Sequence, residues 1–120
     1  GGAHVLDHYL SSAAALPTAL YTTGGYYTLS AWQRLTARGL DVPGNIGLLG
    51  FDNFAFYQHL SLAIDRVHAD LTLMGDLVAD LLRRALAEGP LTAAVKTLVP
   101  ARLIEGGSLL PVSEMTPLKR

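Results

Sequence analysis

Cysteine is absent from all 120 residues, so disulfides and thiolate metal sites are excluded, and a reducing compartment fits. No apolar run approaches the roughly 20 residues that a membrane-spanning helix needs. Neither charge sign dominates: nine Lys and Arg face ten Asp and Glu, for a net charge of −1 and a pI near 6.4. This balance gives no electrostatic footprint for nucleic acid or an anionic membrane. Met is missing from the start, and Gly1-Gly2-Ala3-His4 has no basic leader region, so the sequence reads as cut from a longer chain. Repeats and low-complexity tracts are also lacking. Half of the residues are hydrophobic, enough for one domain with a real core but not for two.

The most informative stretch is Asn45-Ile46-Gly47-Leu48-Leu49-Gly50-Phe51-Asp52-Asn53. Ile46, Leu48 and Leu49 supply the apolar run of a buried strand, and Gly47 and Gly50 permit close approach and a sharp exit. Asp52 then falls just past the carboxyl end of that strand, where open α/β sheets hold their ligands. Upstream, His4 to Ala15 has helical spacing and Pro17 stops it. Ala19 to Thr23 reads as a short buried strand, Gly24-Gly25 as a turn, and Tyr26 to Arg38 as a helix with Leu29, Trp32 and Leu35 on one face. Gly39 is placed to close that helix.

Downstream, Phe54 to Leu60 forms a short aromatic helix, and Leu62 to His68 alternates as a strand. Asp70 is the expected N-cap of a long helix. Its apolar positions Leu71, Met74, Leu77, Val78, Leu81, Leu82, Ala85 and Leu86 keep helical spacing, and Gly89-Pro90 ends it. Thr97-Leu98-Val99 and Arg102-Leu103-Ile104 read as strand pieces, with a loose segment from Gly106 onward. The order α-β-α-β-(α)-β-α-β predicts an α/β fold with a mostly parallel sheet flanked by helices.

Several pieces together resemble the effector-binding domain of the LacI/GalR family of bacterial transcription regulators. They are Pro17-Thr18-Ala19-Leu20, Gly39-Leu40-Asp41-Val42-Pro43, the strand ending Gly50-Phe51-Asp52-Asn53, Met74-Gly75, and the closing Arg102-Leu103-Ile104-Glu105-Gly106-Gly107-Ser108. The resemblance runs from Gly2 to Ser108. It implies one lobe of a type I periplasmic-binding-protein-like domain plus a strand and helix of the other lobe. Residues 1–108 would be the C-terminal part of that domain, with about 1–60 the lobe proper and 61–108 the crossover strand, helix and return strands. Residues 109–120 would be a loose tail. Three departures stand out. Gly24 and Gly25 replace the family's Asn-Asp, Leu62-Ala63 replaces Pro-Pro, and Asp65-Arg66 replaces Thr-Thr. These departures alter the usual sugar-contact set.

The resemblance makes Asp52 the leading ligand residue, since a carboxylate accepts two charge-assisted hydrogen bonds from vicinal hydroxyls or a base edge. The amides of Gly24 and Gly25 open a helix and can face a polar ligand atom. Tyr26 can stack on a sugar ring or base. Leu71 corresponds to an apolar family position near the ligand. Plainer roles exist for each: a turn cap at Asp52, a tight turn at the glycines, ordinary packing at Tyr26.

The expected partner is a small-molecule effector, a sugar or nucleoside-like compound, bound between two lobes. The chain would act as a homodimer in the cytoplasm and reach DNA only through an N-terminal domain it does not contain. A fragment of a solute-binding protein of a transport system is the alternative. His4 and His8 have an i,i+4 spacing that can bind metal. No metal is expected, because no Glu follows His4 in the metalloprotease manner and the four histidines are scattered; no cofactor or enzymatic activity is expected, because no Gly-x-Ser-x-Gly elbow, dinucleotide fingerprint or P-loop occurs.

Overall fold

The computed structural model describes residues 2–12, 15–52, 54–89 and 93–116. It divides into two compact units, one of residues 1–68 with 103–120, the other of residues 69–102. In the first, helix α1 (Gly2–Ser12) is followed by strand β1 (Ala19–Tyr21), helix α2 (Gly25–Ala37) and strand β2 (Gly47–Phe51). A 3₁₀ turn (Ala55–His59) leads to strand β3 (Asp65–Ala69). Helix α3 (Leu71–Glu88), strand β4 (Ala101–Ile104) and a 3₁₀ turn (Val112–Glu114) complete the order. The strands lie in the order β1-β2-β3-β4, with β1 and β3 both parallel to β2. The α/β class and mostly parallel sheet read from the sequence are those of the structure.

β2 is central because it is the most apolar strand. Ile46, Leu48 and Ile64 are fully buried, and so is Leu35 of α2. Ala31 and Tyr57 join Leu48 and Ile64 in one cluster, while Leu10, Leu35 and Ile46 form another. The buried stripe of α2 is Gly25, Thr28, Ala31 and Leu35; Leu35 is buried as expected, while Thr28 and Ala31 take the places expected for Leu29 and Trp32. Leu29 and Trp32 are half-buried. Asp7 of α1 ties the two helices, pairing with Arg34 and lying 2.6 Å from Arg38 Nη1. Past Arg38 the Gly39 amide donates to Thr36 O and the Leu40 amide to Leu35 O, the paired bonds of a glycine-terminated helix.

Four expectations are corrected. β1 is shorter than Ala19 to Thr23, and Ala19 and Tyr21 are exposed, because the strand lies at the sheet edge. β3 starts at Asp65 rather than Leu62. No regular structure forms at Thr97-Leu98-Val99. The segment from Gly106 is held rather than loose: Ser108 is fully buried, and its carbonyl accepts from the Leu48 amide at 2.9 Å. Farther along, the Thr116 amide donates to Gly44 O at 2.7 Å. Asn53, Pro90 and the C-terminal end of the first expected helix at residues 13 and 14 lie outside the described residues.

In the second unit, Asp70 caps α3 as expected, its Oδ1 accepting from the Leu73 amide at 3.0 Å. No residue of α3 is buried. Asp70→Ala is expected to lower helix stability by about 1 kcal/mol, the usual worth of such a cap. Faster amide exchange confined to the first turn of α3 would register it.

Candidate functional site

Parallel pairing fixes where the candidate residues go. Leu20 pairs with Leu48 and Tyr21 with Leu49, so β1 and β2 run in the same direction and release their loops at the same end of the sheet. The loop after β1 carries Thr22, Thr23, Gly24 and Gly25; the loop after β2 carries Asp52. Asp52 leaves its strand with φ 65°, the left-handed region that aspartate and asparagine enter more readily than most residues. Its amide donates to Val67 O at 2.8 Å, which anchors the turn to β3.

Gly24 and Gly25 differ in what they need. Gly24 is extended at φ −175°, a conformation open to any residue, and a Cβ there would make only ordinary contact with the Tyr27 ring. Gly25 is buried, and a Cβ would fall 2.1 Å from Cδ2 of Phe54. The Phe54 ring thus lies where a side chain at position 25 would project, and the two loops meet there. Gly25→Ala is expected to cost about 1–3 kcal/mol through overpacking, read as a lower urea midpoint.

Aromatic rings gather around this contact. Tyr26 lies 5.7 Å from Phe54 and 6.2 Å from Phe56, and Phe56 lies 4.8 Å from Tyr57, all centroid to centroid. Tyr26 is 74 % exposed and offers an open ring face. Beneath them Tyr57 is buried, with its hydroxyl 3.0 Å from Thr28 Oγ1 and 3.1 Å from Phe51 O. Burial pushes the Tyr57 phenol above its ordinary pKa, while the Thr28 hydroxyl and the Arg66 guanidinium pull it back. Arg66 stands 5.3 Å over the Tyr57 ring and donates to Ile64 O at 3.0 Å.

Four of the five residues singled out in the sequence, Gly24, Gly25, Tyr26 and Asp52, therefore belong to one end of the sheet in the first unit. Leu71 belongs to the second unit, where it is exposed in the first turn of α3. Among the described residues, hollows of about 460 Å³ lie at two places. One is bounded by Phe54, Tyr57, Gln58 and Arg66; the other follows the free edge of β1 between Tyr9, Tyr21 and Tyr27. Among the described residues, no group of three or more His, Asp or Glu side chains is arranged to hold a metal ion, and no helix is long and apolar enough to cross a membrane. Chemically, the sheet end offers a carboxylate acceptor, the amides that open α2, and an exposed aromatic face.

Phe54, Phe56 and Tyr57 read from the sequence as candidate cleft-lining or packing residues, but Thr22 and Thr28 carry no such expectation. The one available signal was a threonine on the buried stripe of α2, since a hydroxyl placed there needs a partner.

A model of the periplasmic binding protein-like domain family matches residues 2–109. No curated protein sequence matches the chain. Among solved structures, a sugar-binding transcriptional regulator of the LacI family from Escherichia coli, complexed with phosphate, is similar with TM-score 0.73 and 26 % identity; the match covers 91 % of this chain and 38 % of that one. The lac repressor dimer bound to operator and an anti-inducer is similar with TM-score 0.79 and 21 % identity, over 92 % of this chain and 37 % of that one. A LacI family regulator from Enterococcus faecium with bound ribose gives TM-score 0.77 and 17 % identity, over 92 % and 40 %. The chain spans about two fifths of the length of these proteins.

Proposed function

The chain belongs to the periplasmic binding protein-like domain family, and from that premise we propose that it is the effector-sensing and dimerisation part of a DNA-binding transcription regulator. The effector is a small molecule, a sugar or nucleoside-like compound, held between two lobes. Asp52 accepts hydrogen bonds from its hydroxyl or N–H groups, the Gly24-Gly25 loop offers backbone amides, and Tyr26 covers an apolar face. The observation that carries this reading is the φ 65° turn that sets Asp52 at the same sheet end as Gly24, Gly25 and Tyr26. The similarity to regulators whose structures hold ribose, or an operator and an anti-inducer, supports it.

Regulation then follows from coupling. An effector that prefers one arrangement of the lobes shifts the population toward it, and in a homodimer this changes the spacing of DNA-reading domains attached upstream. The protein would work in the cytoplasm and carry out no chemistry on its effector.

Thermal unfolding of the protein as encoded, with D-ribose, cellobiose, adenosine and cytidine, tests the reading. One of them should raise the melting temperature in a saturable way, by the equivalent of about 2.7 kcal/mol at a hundredfold excess over Kd, and be recovered unchanged. Failure of all four to shift the transition would count against a sugar or nucleoside effector. Conversion of the bound compound would favour an enzyme.

A further inference from the structure

The two loops that form the candidate site are joined by side-chain hydroxyls. Thr22 at the end of β1 and Thr28 on α2 place their Oγ1 atoms 2.7 Å apart. Thr22 Oγ1 donates to Leu49 O at 3.3 Å, and Thr28 Oγ1 donates to Gly24 O at 3.1 Å. Tyr57 completes the set, its hydroxyl 3.0 Å from Thr28 Oγ1 and 3.1 Å from Phe51 O. Gly50 leaves room for this cluster, since a Cβ there would stand 3.0 Å from the Tyr57 hydroxyl and 3.1 Å from Thr28 Cγ2. Thr28 is fully buried and Tyr57 is 5 % exposed, so water does not compete freely for these groups.

The two ends of the cluster matter most. Gly24 O belongs to the residue just before Gly25 and Tyr26, and Phe51 O to the residue just before Asp52. Each hydroxyl carries one proton, so these three hydroxyls cannot supply all five contacts at once. A shift of the Asp52 turn that alters the Tyr57–Phe51 contact changes which proton Thr28 receives or gives, and through it the bond to Gly24 O. We infer that Tyr57 and Thr28 are positioning residues that hold the Asp52 turn and the Gly24-Gly25 loop in a fixed mutual geometry, so that both rims of the site respond as one. The inference rests on the site reading given above but names residues outside it.

Amide hydrogen exchange on the whole chain tests this without a ligand, so its failure is separate from any failure of effector binding. Tyr57→Phe and Thr28→Val keep side-chain shape and remove a hydroxyl. Each should speed exchange at both the Thr28 amide, which donates to Gly24 O, and the Asp52 amide, which donates to Val67 O, on the order of five- to tenfold. The Leu48 amide, bonded to Ser108 O, should keep its rate. The double variant should exceed neither single one by much, because both remove the same link. Thr28→Ser, which retains the hydroxyl, should restore slow exchange. Equal acceleration at Leu48 would mean general loosening and overturn the inference. So would an Asp52 amide unmoved by Thr28→Val, or Thr28→Ser behaving like Thr28→Val. Should Tyr57→Phe fail to fold, the Thr28 pair decides alone.

Discussion

Asp65→Ala lowers the melting temperature of the chain by about 10 °C or more, corresponding to about 3–5 kcal/mol. The reason lies in what its carboxylate holds. Asp65 is 8 % exposed, and it accepts from the backbone amides of Gly106 at 2.9 Å, Ser108 at 2.7 Å and Leu109 at 3.0 Å. Three main-chain donors from the segment after β4 thus converge on one buried anion, and charge-assisted bonds are the strong ones. Ser108 closes the arrangement, accepting from the Asp65 amide at 2.8 Å and donating to Leu48 O at 2.5 Å. Alanine would leave the three amides without their acceptor, that of the fully buried Ser108 in a place shielded from water. Asp65→Asn retains one acceptor oxygen but turns an NH₂ toward an amide donor, so its loss should fall between alanine and wild type. Differential scanning calorimetry of the three proteins checks the order. A drop below about 2 °C for alanine would show that the closing segment is held by other means.

The second large effect is on binding. Asp52→Asn in the protein as encoded weakens its effector by about ten- to a hundredfold while leaving the fold intact. Asparagine tolerates the φ 65° conformation nearly as well as aspartate, so the turn survives. What changes is charge: hydrogen bonds to an ionised acceptor contribute about 1.5–3 kcal/mol, and each 1.4 kcal/mol is a factor of ten in Kd. Titration calorimetry with the compound that stabilises the wild type gives the ratio, and an unfolding curve confirms the unchanged fold. Equal affinity in the two proteins would remove Asp52 from the site.

These two aspartates show what the sequence made legible. Asp52, Asp70 and Gly39 follow local rules: an acid at a strand exit, an acid before a helix, a glycine after one. Each sits where it was expected, because the chemistry needs only neighbours within a few residues. Asp65 obeys no local rule. Its partners lie beyond β4, and strand alternation alone gives no hint that a carboxylate could be buried there. The same limit applies to the segment from Gly106, which has the composition of a loose tail yet is tied down by residues far upstream. The exposure of β1 has a related cause, since Ala19-Leu20-Tyr21 has strand propensity but edge position is a property of the whole sheet. For the candidate site, the backbone elements were legible and the hydroxyl cluster was not. Thr22, Thr28 and Tyr57 come from three separate elements and meet only when β1, α2 and the 3₁₀ turn pack together.

The most direct test of the regulator reading is to determine the coding sequence immediately upstream of the codon for Gly1. The expected result is an in-frame second lobe of the same domain, preceded by a helix-turn-helix module. A second lobe preceded by a secretion signal would contradict it and make the protein a solute-binding component of a transport system. A stop codon directly upstream would contradict both, because one lobe cannot close on an effector alone.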